Sequence, residues 1–244
     1  MIEPVQTVML RHYNEGARLI LIAPGNIRLD FLENELKRVV IGKSINMMDV
    51  AHDDLPSQVE SVMTRLAMLG VYSEKDSISR SVLLTALEAI YLPLWQAGRQ
   101  DDSMFTMPLL KDLQAGLNRI STAHESPDVR DAAQVLSFRL NRFVKSSARE
   151  WFQQTTADFS LQHRLIVFDI SNMEREIGVR LPPLRNVLLE TLISKITYGI
   201  HHLRLRGVTD PIMFFFVDDV GVLRQVTGHG GNMRRDPYAR EATG

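Results

Sequence analysis

The chain has 244 residues, of which 45% are hydrophobic, enough to bury a sizeable core as one large domain or one domain with an insertion. Its 28 basic and 29 acidic residues leave a formal net charge of -1, so we expect no global electrostatic attraction to nucleic acid or anionic lipid. The absence of cysteine excludes disulfides and catalytic or metal-binding thiolates, and without 18 consecutive apolar residues we expect a soluble, cytoplasmic chain with no transmembrane segment.

The first clear strand pattern lies near the amino terminus. Residues 17–23 form an apolar run that leads into Pro24-Gly25-Asn26, a sequence typical of a turn. The stretch 38–42 is apolar but short. It is either an edge strand or the end of a helix over 30–37, and both alternatives stay open. Residues 5–10 are too short a pattern to assign.

Between residues 53 and 150 the apolar residues change to a helical period. A stripe over 59–69 predicts one helix, and residues 73–76 resemble a capping box at the start of a second. Pro108 and Pro127 are placed to open a third and a fourth helix. Because about 100 residues without a strand are long for a crossover, we predict an all-α insertion over 53–150.

Strand patterns return at residues 165–171 and 212–218, with a helix opened by Pro182-Pro183 between them. Both runs, like 17–23, are continuously apolar, as expected of strands buried on both faces. We therefore predict an α/β fold in which these three runs are neighbouring parallel strands. Residues 224–244 are predicted to be a loop or flexible tail.

Two adjacent carboxylates, Asp218 and Asp219, end the last apolar run. Ligands of open α/β sheets bind at the carboxyl ends of the strands, and in nucleoside triphosphatases this arrangement is the Walker B element. Asp218 would then hold Mg²⁺, and Asp219 would polarise the attacking water. The alternative is that the two acids only end a strand and begin a turn. For Asp169, likewise, either a place in the same site or a cap on the following turn is open.

Several short motifs follow one another in a fixed order along the chain. They are Ala23-Pro24, Ile45-Asn46-Met47-Met48-Asp49, Leu87-Glu88-Ala89-Ile90-Tyr91, Phe152-Gln153-Gln154-Thr155-Thr156, Phe168-Asp169-Ile170-Ser171 and Asp218-Asp219. In this order the chain resembles the motor domain of the large ATPases of type IV secretion and conjugative DNA transfer, in the HerA/FtsK group of RecA-like NTPases.

The resemblance implies a RecA-like core, formed by residues 1–52 and 151–223, that hydrolyses ATP to energise a secretion or conjugation machine. It implies Mg²⁺ and ATP as cofactors, with Asp218 and Asp169 facing the nucleotide, Asp218 holding the metal and Asp219 in the catalytic role. It also implies a homo-oligomer, contacts with other subunits of the machine and with DNA, and peripheral association with the inner face of the cell membrane.

The chain departs from the family pattern in three respects. Ala23 and Asn26 stand where the family turn has acids, and Asp219 replaces a glutamate that is longer by one methylene. The 244 residues contain no Gly-x-x-x-x-Gly-Lys-Ser/Thr phosphate loop. Gly42-Lys43-Ser44 copies only the end of that motif, because the preceding branched residues do not suit a phosphate-binding turn.

The resemblance begins just after the phosphate loop, so we expect the chain alone to be inactive. Two function classes remain: a fragment of an ATP-hydrolysing motor, or a non-catalytic RecA-like interaction or scaffold module.

A group of basic residues alternates with aromatic ones near the end of the helical block. It consists of Arg139, Arg142, Lys145 and Arg149 with Phe143, Trp151 and Phe152. This pattern is compatible with a nucleic-acid or partner surface, or with a basic helix face that is only solvated.

Overall fold

A five-stranded sheet forms the centre of the α/β fold. The structure is a computed structural model and describes residues 5–23, 36–41, 45–96, 107–145, 147–155, 159–178, 182–217 and 223–226. The strands are β1 Arg18–Ala23, β2 Leu36–Val40, β3 Leu165–Asp169, β4 Ile212–Val217 and β5 Leu223–Val226. They are ordered β2-β3-β1-β4-β5 across the sheet.

The three predicted apolar runs are neighbouring parallel strands, which confirms that prediction. β1 lies between the other two, and Leu19 is opposite Leu165 of β3 and Met213 of β4. All six residues of β1 except Arg18 are buried, as are all five of β3. Continuous apolar runs suit this position because a central parallel strand is covered on both faces.

β2 is the parallel edge strand next to β3, so the strand alternative for this stretch is correct. Val39 is buried, whereas its neighbours Arg38 and Val40 are exposed. Residues 37–40 are therefore extended. The backbone before a phosphate-binding Gly-Lys-Ser would instead form a turn that surrounds the phosphate. Gly42-Lys43-Ser44 lies outside the described residues.

β5 differs from the predicted loop or tail over 224–244. Residues 223–226 form a short strand antiparallel to β4, in which Leu223 pairs with Val217. Its sequence, Leu-Arg-Gln-Val, has polar residues in the middle, so it carries no continuous apolar pattern that sequence reasoning would detect. Residues 227–244 lie outside the described residues.

Residues 5–10, ambiguous from sequence, belong to a helix that packs on the sheet. This helix, α1, spans Val5–Asn14 and is followed by Gly16, whose φ of 90° turns the chain into β1. Its buried side chains Met9 and Tyr13 join the core cluster around Leu21 and Phe215. Burial of this apolar face holds the helix against β1 and β4.

Four helices lie where the periodicity placed them, within the stretch predicted to be an all-α insertion. They are α2 Leu55–Met68, α3 Ser77–Gln96, α4 Leu110–Ala123 and α5 Pro127–Val144, followed by a 3-10 turn at Ser147–Phe152. The predicted stripe of α2 is buried, with Val59, Val62 and Leu66 at most 1% exposed.

The start of α3 differs from the capping box expected over 73–76. Asp76 is the residue just before the helix, and its carboxylate accepts hydrogen bonds from the backbone N (3.1 Å) and Oγ (2.7 Å) of Ser79. These bonds hold the pKa of Asp76 below its usual value. Asp76 therefore satisfies an amide that would otherwise lack a partner in the first turn.

We expect Asp76→Ala to lower the free energy of unfolding by about 1 kcal/mol, because the amide of Ser79 loses its acceptor. Asp76→Asn keeps a capping oxygen and should cost only a few tenths of that.

The cap should also depend on pH. Since the pKa of Asp76 is depressed in the folded protein, the charged cap stabilises the fold above the unfolded pKa of about 3.9, and this stabilisation is lost as pH falls through the folded pKa. Urea titrations at neutral and acidic pH measure both effects. An equal loss for Ala and Asn would contradict the capping role.

Of the described helices, α3 alone is long and apolar enough to cross a membrane, judged by length and composition. Core helices of soluble proteins pass the same test. Its side chains Leu83, Leu87 and Tyr91 are fully buried, so one face of α3 packs into the core, whereas Ile78 and Leu92 on the same helix are exposed.

The last helices connect β3 to β4. A short helix, α6 Ser171–Met173, continues into a π-helical turn at Glu174–Gly178, and α7 spans Pro182–Leu205. The chain divides into two compact units. The first comprises residues 1–42, 157–180 and 196–244 and holds the sheet. The second comprises residues 43–156 and 181–195 and holds the helices α2 to α5.

Candidate functional site

The carboxyl ends of the parallel strands β1, β2 and β3 lie side by side at the same end of the sheet. Asp169, the last residue of β3, is level with Ala23 of β1 and with Val40 of β2. The backbone continues this alignment past the strands, since Ile170 N donates to Ala23 O at 3.0 Å. The sequence-predicted acid Asp169 is thus placed at the edge where ligands of such sheets bind.

The Asp169 carboxylate is buried and already has three donors. Its Oδ1 accepts from the backbone N (3.0 Å) and Oγ (2.7 Å) of Ser171, and its Oδ2 lies 3.2 Å from Nη1 of Arg38. A buried charge needs such partners, because water is not there to solvate it. The cap on the turn after β3 is therefore observed, and the predicted part of Asp169 in nucleotide binding remains a prediction.

The predicted Walker B acids, Asp218 and Asp219, lie outside the described residues. In the strand that precedes them, Phe214 and Phe215 are buried, as predicted, and Phe216 is half-buried. In sequence the two acids stand between Val217 and Leu223, which pair across an antiparallel ladder. Both the catalytic interpretation and the turn interpretation are compatible with this position.

Asn46, in the motif that introduces the helical insertion, is fully buried and fully bonded. Its backbone N donates to Oγ1 of Thr155, and its Nδ2 donates to Asp49 Oδ1 and to Pro108 O, each at 2.8 Å. Its Oδ1 accepts from Met48 N at 3.0 Å. Two motifs that carry the resemblance thus meet at the bond from Asn46 N to Thr155 Oγ1, while the side chain of Asn46 closes the loop before α2.

Tyr91, in a third family motif, supports the same loop. Its hydroxyl donates to Met48 O and accepts from Nε2 of Gln58 at 3.3 Å. Burial raises the pKa of Tyr91, so the hydroxyl keeps the proton that it donates. Gln58 also accepts from Ala51 N at 2.9 Å and donates to Asp49 O at 3.2 Å. The loop is therefore held from two helices by neutral hydrogen bonds.

Two ion pairs complete this polar cluster. Arg65, which is fully buried, pairs with Glu190 and donates from Nη1 to Met47 O at 2.6 Å. Lys195 Nζ lies 2.6 Å from Asp49 Oδ2. Sequence reasoning missed Arg65, Glu190 and Lys195, because the partners are more than 120 residues apart and nothing local marks them. Among the described residues, no group of three or more His, Asp or Glu is placed to hold a metal ion.

The basic and aromatic group in the last turns of α5 and the 3-10 turn after it does not form the nucleic-acid surface that its sequence allowed. Arg139 Nη1 donates to Val71 O at 3.0 Å, and Arg142 Nη2 donates to Leu69 O, both just beyond the end of α2. The aromatic side chains of the group are all buried: Phe143, Trp151 and Phe152. Rings in these positions cannot stack on exposed bases, so this group gives no support to nucleic-acid binding.

The mainly parallel sheet with flanking helices, an acid at the end of β3 and an all-α insertion is a RecA-like α/β fold. Among solved structures, the chain is similar to VirB4 of Thermoanaerobacter pseudethanolicus, with a TM-score of 0.58 and 18% sequence identity. The similarity covers 88% of this chain and 79% of that one. No protein-family model and no curated protein matches the sequence. At this identity the likeness establishes the fold, which agrees with the fold that the sequence motifs implied.

Proposed function

We propose that the chain is part of the motor domain of an ATPase that energises a type IV secretion or conjugative DNA transfer machine. The observation that carries the proposal is the likeness to VirB4, which extends over 88% of this chain. In this proposal the protein works in the cytoplasm at the inner face of the membrane, as a homo-oligomer in contact with other subunits of the machine.

The order of elements supports this proposal independently of the overall likeness. In the family, β1 follows the nucleotide-binding helix, and here α1 directly precedes β1 and packs against it. The motif residues Asn46, Tyr91 and Thr155 also serve one structural purpose, the loop that leads into the helical insertion. The three motif residues therefore come in the family order along the chain and also contact the same loop.

We infer from the resemblance that Asp218 would hold Mg²⁺ and that Asp219 would orient the attacking water. The described residues do not by themselves fit a nucleotide. Asp169 is already bonded to Arg38 and Ser171, and the 244 residues contain no phosphate loop. Since phosphoryl transfer depends on positioning and on neutralising the phosphate charge, the chain on its own should bind Mg-ATP poorly.

The same two observations favour a second candidate, a RecA-like scaffold module that has lost nucleotide binding. In that case Asp169 serves only to cap the turn after β3, and Asp218 and Asp219 only begin the next turn. The two candidates differ in one respect that can be read directly: whether a phosphate loop is supplied from the adjoining coding sequence.

The proposal is tested by reading the coding sequence immediately upstream and extending the protein to include it. We expect a Gly-x-x-x-x-Gly-Lys-Ser/Thr loop followed by a helix, and we expect the extended protein to release phosphate from Mg-ATP. An upstream frame without this loop, or an extended protein with a loop but without turnover, would favour the scaffold candidate.

A further inference from the structure

One face of α5 is exposed and carries an ordered series of side chains. At its centre are Val135, 45% exposed, and Phe138, which at 75% is the most exposed large hydrophobic side chain in the described part of the chain. Asp128 and Asp131 lie on the same face before them, and Arg142 and Lys145 lie after them, all exposed. The face therefore runs from acidic through apolar to basic.

The six positions are spaced 3, 4, 3, 4 and 3 residues apart, which is the spacing of a coiled-coil seam. Such a spacing keeps every position on one stripe of the helix. At 1.5 Å per residue the stripe is about 26 Å long. This length and the apolar centre suit it to pack against another helix rather than to bind a small molecule.

We propose that this stripe is the interface between two copies of the chain, with the two α5 helices packed antiparallel. Around a two-fold axis between Val135 and Phe138, each acid of one copy is opposite a base of the other. The pairs are Asp128 with the partner's Lys145, Asp131 with the partner's Arg142, and Val135 with the partner's Phe138.

Charge complementarity identifies the occupant as a second copy. An isologous interface must complement itself, and a stripe whose charge reverses about its own centre meets this condition only in the antiparallel orientation. A parallel pair would place Asp128 against the partner's Asp128 and Lys145 against the partner's Lys145. Arg142 donates to Leu69 O from Nη2 and its guanidinium lies 4.6 Å from the centroid of the Phe143 ring, while the residue stays exposed, so its pair with the partner's Asp131 is made beside these contacts. The interface forms whether or not the chain binds nucleotide.

The first test is the mass of the full chain by sedimentation equilibrium over a range of concentrations. The expected result is a reversible change from 27.7 kDa to twice that mass. Phe138→Ser should weaken the dimer at least about tenfold, because the apolar centre of the interface is lost. Leu92→Ser, which changes an exposed leucine on α3, should leave the dimer unchanged. A monomer at every concentration, or equal effects of the two variants, would overturn the proposal.

The second test determines the orientation. Asp128→Lys and Lys145→Glu each replace two attractive pairs with two repulsive ones, so each variant alone should dimerise about tenfold more weakly. An equal mixture of the two variants should recover the original affinity, because every pair between unlike copies is again of opposite sign. Circular dichroism of each variant checks that α5 is intact. A mixture that associates no better than either variant alone would show that the antiparallel pairing is wrong.

Discussion

Asp218→Asn is expected to lower ATP turnover by about 100-fold or more in a form of the protein extended to include a phosphate loop. The substitution removes the negative charge proposed to hold Mg²⁺, and the metal neutralises charge that develops on the phosphates. The loss should appear mainly in kcat, since charge stabilisation acts on the transition state. Phosphate release at saturating Mg-ATP measures it.

Two companion variants separate this role from a general effect on folding. Glu88→Gln removes an exposed carboxylate from α3 and should leave turnover unchanged. Asp219→Glu adds one methylene, about 1.3 Å of reach, and should raise turnover because it brings the carboxylate closer to the attacking water. If Asp218→Asn and Glu88→Gln turn over ATP at the same rate, the proposed metal site is wrong.

The second large effect is on stability. Arg65→Ala should lower the free energy of unfolding by about 3 kcal/mol, since it leaves Glu190 with only the hydroxyl of Ser194 as a donor, removes the donor to Met47 O and opens a cavity. Glu190 is 32% exposed on its side chain, so water solvates part of the remaining charge and the loss stays at the lower end of the range for buried pairs.

Arg80→Ala is the matched control for Arg65→Ala. Arg80 pairs with Glu60, but the two side chains are 43% and 51% exposed. An exposed pair of this kind contributes about 0.5 kcal/mol or less. Chemical denaturation followed by circular dichroism compares the two variants. Similar losses for both would mean that Arg65 does not hold the loop before α2 in the way described.

The strands were predictable where the chain is buried on both faces. Apart from Arg18 at the start of β1 and Asp169 at the end of β3, every position of β1, β3 and β4 is apolar, so these runs mark the centre of the sheet in the sequence. β5 was missed because an edge strand with a polar middle needs no such run. Asp76 illustrates a smaller error: the sequence suggested a capping box over 73–76 with Asp76 as its last residue, whereas Asp76 is itself the cap and the helix begins one residue after it.

The polar contacts were not predictable in the same way. The order of the motifs along the chain did not predict that Tyr91 and Thr155 bond to the loop that contains Asn46 and Asp49. Arg65 and Glu190 gave no signal, because a buried ion pair is defined by two positions that only the fold brings together. For Asp169 the sequence allowed two roles, and the contacts with Arg38 and Ser171 establish one of them.

In the proposed function, the chain carries the acid-bearing strand of a motor ATPase, and its 244 residues lack the loop that binds the phosphates. Phosphate release by the purified 244-residue chain with Mg-ATP tests this directly. We expect no release above that of Asp218→Asn, because without the loop nothing positions the β and γ phosphates. Steady turnover at or above about 1 per second that is lost in Asp218→Asn would contradict it, since the chain would then hold a phosphate site of its own.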